Sequence, residues 1–134
     1  MGERAFAVEL KIPDNEAYTA MRALQRLGIA VARVRRADLL VFSGDEGDEA
    51  LRERIERDET LFNPNKHRLE RLPGTHPREG EVWIEMLDAP RSATMRRLVS
   101  WRLFGGADEP LGGDELDAAC VRLLCNPAIE RAIR

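Results

Sequence analysis

In "AFAVELKIP", residues 5–13, Phe6, Val8, Leu10 and Ile12 alternate with small or polar residues, and Pro13 closes the run. A period of two predicts a strand with one buried face. The period then lengthens: "DNEAYTAMRALQRLG" sets Ala17, Met21, Leu24 and Leu27 at helical spacing. Asp14 or Asn15 serves as N-cap and Gly28 stands at the C-terminal stop. Residues 29–45 bring Ile29, Val31 and Val34, a polar break at Arg36-Ala37-Asp38, and the apolar run Leu39 to Phe42. That pattern predicts two strands, 29–35 and 39–42, joined by a tight hairpin. Acids at 45–49 open a second helix with Leu51, Ile55 and Phe62 on one stripe. Asn63-Pro64 stops it, because proline disfavours a helical conformation in the residue before it, and "KHRLERL" makes a closing strand. The order strand, helix, strand, strand, helix, strand predicts an α+β, ferredoxin-like βαββαβ sandwich over residues 1–72, an antiparallel sheet with two helices on one face.

A Pro/Gly-rich linker, 73–80, leads to a second unit at 81–134. "EVWIEML" alternates Val82, Ile84 and Met86 against Trp83, Glu85 and Leu87, so its strand wants cover on both faces. "SATMRRLVSWRLFG" sets Met95, Leu98, Val99 and Leu103 on a helical stripe, with Ser92 as N-cap and Gly105 as stop. After the loop "GGADEPLGG", "DELDAACVRLLCN" predicts a helix with Leu116, Ala119, Cys120 and Leu123 inward, broken by Asn126-Pro127 ahead of the strand "AIERAIR". The recurrence of Leu-x-x/Asn-Pro endings at 61–64 and 123–127 reads as a duplicated unit packed on the first, its second copy eroded to β-α-loop-α-β. Recurrence of Asn-Pro as a simple helix stop explains the same residues.

Composition narrows the function classes. A net charge of −3, with 34% charged residues of interspersed sign, lacks the basic footprint of a nucleic-acid binder. No apolar run reaches the roughly 20 residues that cross a bilayer, and the N-terminus is charged at once, so no membrane partner and a cytoplasmic location are expected. Cys120 and Cys125, five apart in a predicted helix, fall on different faces and suggest neither disulfide nor zinc. The acidic run 45–49 lacks the ligand order of a calcium loop, and His67 and His76 have no cysteine nearby, so no metal is expected. Neither a G-x-S-x-G elbow nor a phosphate loop is present, and no catalytic residue is assigned. Trp83 and Trp101 suit core or interface. Arg33, Arg35 and Arg36 are the candidate contact residues for an anion or a partner, since guanidinium forks suit phosphate and carboxylate. Charges that guard an edge strand explain them equally well.

The stretches "VELK", "AMRALQRLG", "VARVRRADLLVF" and "LFNP" resemble the PurS small subunit of phosphoribosylformylglycinamidine synthase. Val8, Leu10, Lys11, Ala20, Ala23, Leu24, Leu27, Gly28, Val31, Val34, Arg35 and Asn63-Pro64 match that family in order, mostly at core and cap positions. The chain departs from it in having "IPDNEAY" instead of a Leu-Asp-Pro-x-Gly turn, Arg36 instead of a glycine, and an additional half. With two units it resembles the N-terminal region of the long single-chain synthase. The resemblance implies a non-catalytic scaffold of purine biosynthesis that docks synthetase and glutaminase subunits; an uncovered sheet face must be hidden from water, so association through it, with a partner or as a homo-oligomer, is expected. ATP and magnesium would be held by those partners, with no cofactor on this chain. The rival expectations are a small-molecule-sensing regulatory domain of similar fold and a PurS descendant that has lost the synthase role.

Overall fold

The computed structural model describes residues 2–88 and 95–134. These residues form an α+β structure with one six-stranded sheet, antiparallel at every pairing, and three helices among them. In chain order the elements are β1 (Gly2–Leu10), α1 (Asn15–Arg26), β2 (Arg33–Gly44), α2 (Asp48–Arg57), β3 (His67–Arg71), β4 (Glu81–Met86), β5 (Met95–Phe104), α3 (Gly113–Ala119) and β6 (Glu130–Ile133). A π-helical segment, Cys120–Leu124, prolongs α3. The strand order is β3-β1-β2-β5-β4-β6.

The first unit forms much as its pattern predicts, with one exception. Asp14 caps α1, its Oδ1 accepting from the Ala17 amide at 3.1 Å, and Gly28 follows the helix at φ +86°, the left-handed conformation that ends helices. The expected hairpin at 36–38 is absent: residues 33–44 run as one strand, β2, and 29–32 lead into it outside the sheet. Nothing at Arg36-Ala37-Asp38 supplies the positive-φ pair a tight hairpin needs, and a central strand offers those residues partners instead. Arg36 pairs with Glu16 of α1 at 3.3 Å and lies 5.6 Å over the Trp101 ring. The four-stranded βαββαβ unit is therefore a three-stranded βαβαβ unit, β3-β1-β2.

The second unit departs further. Residues 95–104, expected in a helix, form β5, paired with β2 over ten residues from Arg33↔Phe104 to Phe42↔Met95; the expected cap Ser92 lies outside the described residues. The segment also carries a period of two, Met95, Val99, Trp101 and Leu103 on one side, which the arginines conceal, and the long partner β2 decides between the two readings. The predicted β-α-loop-α-β copy is thus β-β-α-β among the described residues.

All three helices lie on one face. Leu24 of α1 packs with Ile29, Val31, Val82, Ile84, Leu103, Leu116 and Ala119, so this core draws on both halves. Leu51 and Ile55 of α2 cover Phe6, Val8, Leu40 and Phe42. On the helix-free face Ala5, Ala7, Leu39, Val41, Trp83 and Leu98 are also buried, joined by Leu72. The middle of this face, expected to be open for association, is closed within the chain. The connection 72–80 must pass from the β3 edge across β1, β2 and β5 to reach β4, and it does so on this face. The Leu72 amide donates to Ala5 O and the Leu103 amide to Gly80 O, each at 2.8 Å, fastening both ends of the strap.

Candidate functional site

Beside the strap, the helix-free face holds a cavity of about 240 Å³. Its floor is made of small residues, Ala7, Ala37 and Ser100, on three adjacent strands. Long side chains at Glu9, Arg35, Arg68, Glu70 and Arg102, together with Arg78 of the strap, rise around that floor. Strand alternation explains the grouping: positions two apart share a face, and the register sets Arg35 opposite Arg102, Ala37 opposite Ser100 and Glu9 opposite Arg68.

The charges are partly paired. Arg35 forms a fork with Glu9, at 2.8 Å from Nε and 2.6 Å from Nη2, and that hydrogen bond raises its pKa. Glu81, 1% exposed, accepts from the Arg78 amide at 2.8 Å, from Arg78 Nε at 3.0 Å and from the Ser100 hydroxyl. Burial alone would raise the Glu81 pKa, but the bonds from Arg78 and Ser100 outweigh it and hold the carboxyl below its ordinary range. Glu85, also buried, receives a fork from Arg96, both bonds at 3.0 Å, and a further bond from Arg131. Arg102 forms no ion pair among the described residues and its Nε is buried without a hydrogen bond, while its guanidinium lies 5.2 Å over the Phe104 ring and feels Glu81 and Glu70 at longer range. Burial, then Arg78 and Arg35, lower its pKa, though a guanidinium stays charged.

The three arginines singled out in the sequence separate. Arg35 is in the cavity wall with its guanidinium on Glu9. Arg33 lies on the same face but binds Asp108 Oδ1 at 2.7 Å and covers the Phe104 ring at 4.2 Å. Arg36 borders the cavity, while its guanidinium is on the helical face with Glu16. Pattern reasoning missed Arg68, Arg78, Ser100 and Arg102. The period of two in "RRLVSWRLF" was the signal for the last two, whereas Arg78 depends on the path of the strap.

Other candidates have structural roles. His67 Nδ1 accepts from the Asn63 amide at 2.9 Å, and among the described residues no three His, Cys, Asp or Glu side chains gather as for a metal. The π-helical turn, closed by the Cys125 amide on Cys120 O at 3.0 Å, brings Cys125 back over Cys120 instead of to another face. Both cysteines are free, and burial followed by the neighbouring Cys120 pushes the Cys125 thiol up. No helix among the described residues is long and apolar enough to cross a membrane. The chain matches no protein-family model and no curated protein.

Proposed function

We propose that the chain is a PurS-like, non-catalytic accessory subunit of phosphoribosylformylglycinamidine synthase, with two PurS-type units fused in one polypeptide. The observation that carries this reading is the correspondence between its halves. Each unit has its first strand in the middle, β3-β1-β2 and β6-β4-β5, and each enters its last strand through the same turn. Asn63 O accepts from the amides of Lys66 and His67, and its Oδ1 from Asn65; Asn126 O accepts from Ile129 and Glu130, and its Oδ1 from Ala128. In both turns the asparagine amide donates to the side chain four residues on, His67 or Glu130. A simple helix stop requires none of these bonds after the proline. The resemblance loses its hairpin, since 33–44 is one strand, and keeps α1, the Gly28 stop and the Asn63-Pro64 closure.

Association is supported by an apolar groove of about 400 Å³ between α1 and the π-helical segment, lined by Ala20, Ala23, Trp101, Leu123 and Leu124. Tyr18 and Val121, on the same two segments, are largely exposed. The expected partners are a synthetase and a glutaminase, which hold ATP and magnesium, with a second copy of this chain where it oligomerises. The test is to purify the tagged chain from its own cells and identify what is bound, and to delete its gene. Co-purification of both enzymes with a purine requirement supports the scaffold; prototrophic growth in cells lacking another such subunit overturns it. A second reading, a small-molecule-sensing domain, is favoured by the arginine-lined cavity.

A further inference from the structure

Four arginines, Arg35, Arg68, Arg78 and Arg102, and two glutamates line a cavity in a protein whose net charge is −3. Arg35 and Arg102 face each other directly across β2 and β5, a like-charge pair that destabilises a sheet unless something of opposite sign intervenes. Glu9 answers Arg35 and Glu81 answers Arg78. Arg102 lies 5.2 Å over the Phe104 ring and feels Glu81 and Glu70 at longer range, yet it forms no ion pair among the described residues, and neither does Arg68 across the floor. An unpaired, partly buried guanidinium above a hollow of alanines and a serine is costly to keep unless an anion visits it.

We propose that this cavity binds a small phosphate monoester, its terminal oxygens taken by Arg102, Arg68 and Arg78. Guanidinium forks match phosphate oxygens in pairs, and a phosphoryl group offers three such oxygens to donors converging from β5, β3 and the strap. At about 240 Å³ the hollow is below the range of drug-sized pockets and suits a compound as small as a phosphorylated three-carbon chain. Glu70, which acts on Arg35 and Arg102 at longer range without a hydrogen bond to either, and the Ser100 hydroxyl are placed to take hydroxyls of the esterified carbon chain. This names the ligand class for the sensing reading and is independent of the scaffold reading, which concerns the other face.

The full-length protein is titrated with glycerol 3-phosphate by calorimetry and thermal melting, against sodium chloride of equal ionic strength. Saturable binding and a melting temperature several degrees higher at about one hundred times Kd are expected. Arg102→Gln should bind about tenfold or more weakly while melting, without ligand, at the wild-type temperature or above, because the like-charge pair with Arg35 has been removed. Arg97→Gln, on the helical face, should bind as wild type does. The proposal is overturned if chloride reproduces the shift, if Arg102→Gln keeps full affinity, or if Arg97→Gln loses as much. Tighter binding of succinate, or of inorganic phosphate, than of the ester would also overturn the ligand class. None of these outcomes alters the partner test for the scaffold.

Discussion

Gly80, at the junction of strap and β4, has φ +72°, and a Cβ there would stand 2.8 Å from Leu103 O and 2.9 Å from the Pro110 Cβ. Both the conformation and the space exclude a side chain, so Gly80→Ala should destabilise the protein by about 1–3 kcal/mol, read from chemical denaturation. Next to it, Glu81 links stability to pH. Its folded pKa lies below the unfolded carboxylate value of about 4.3, so its contribution is complete above that value and is lost as pH falls through the folded pKa. Glu81→Gln should therefore cost about 1–3 kcal/mol at pH 7. That difference should narrow in acid, as melts of both proteins at pH 7 and pH 4 would show. Neither residue declared its role in the sequence. A glycine ahead of a strand is common, and the burial of Glu81 depends on Ser100 and Arg78 arriving from β5 and the strap. Arg35 was legible because alternation alone placed it on one face.

At the scale of elements, local signals served where they were sufficient. Asp14, Leu24 and Gly28 delimited α1, and Asp14→Ala should lower stability by about 1 kcal/mol through the lost cap, measured by thermal or urea unfolding. β2 and β5 were misread because each is defined by the other: the polar break at 36–38 and the arginines of 96–102 look like turn and helix surface until ten cross-strand pairs form between them. The π-helical turn accounts for a smaller error. A wider turn advances the phase by one residue, so Leu124, 7% exposed, faces the core, and the expected Leu123 is 41% exposed. No periodicity rule anticipates an inserted residue of that kind.

For the molecule as a whole, the α+β class and four of the sheet's strands, β1, β3, β4 and β6, were readable, whereas the joining of both halves in one sheet was not. That union rests on β2 against β5 and on a core where Leu24, Ile29 and Val31 meet Val82, Ile84 and Leu103. The strap adds covalent continuity, and Gly74, within it, is exposed, with open space where a Cβ would stand. The long central seam therefore makes the peptide bond between residues 74 and 75 dispensable for the assembled state. Fragments 1–74 and 75–134 produced together should reconstitute a stoichiometric pair with the far-ultraviolet spectrum of the intact chain, while each alone stays largely unfolded. An independently folded 1–74 would mean that the shared interior contributes little. The same seam would let the two fragments serve as a split reporter whose signal reads their meeting.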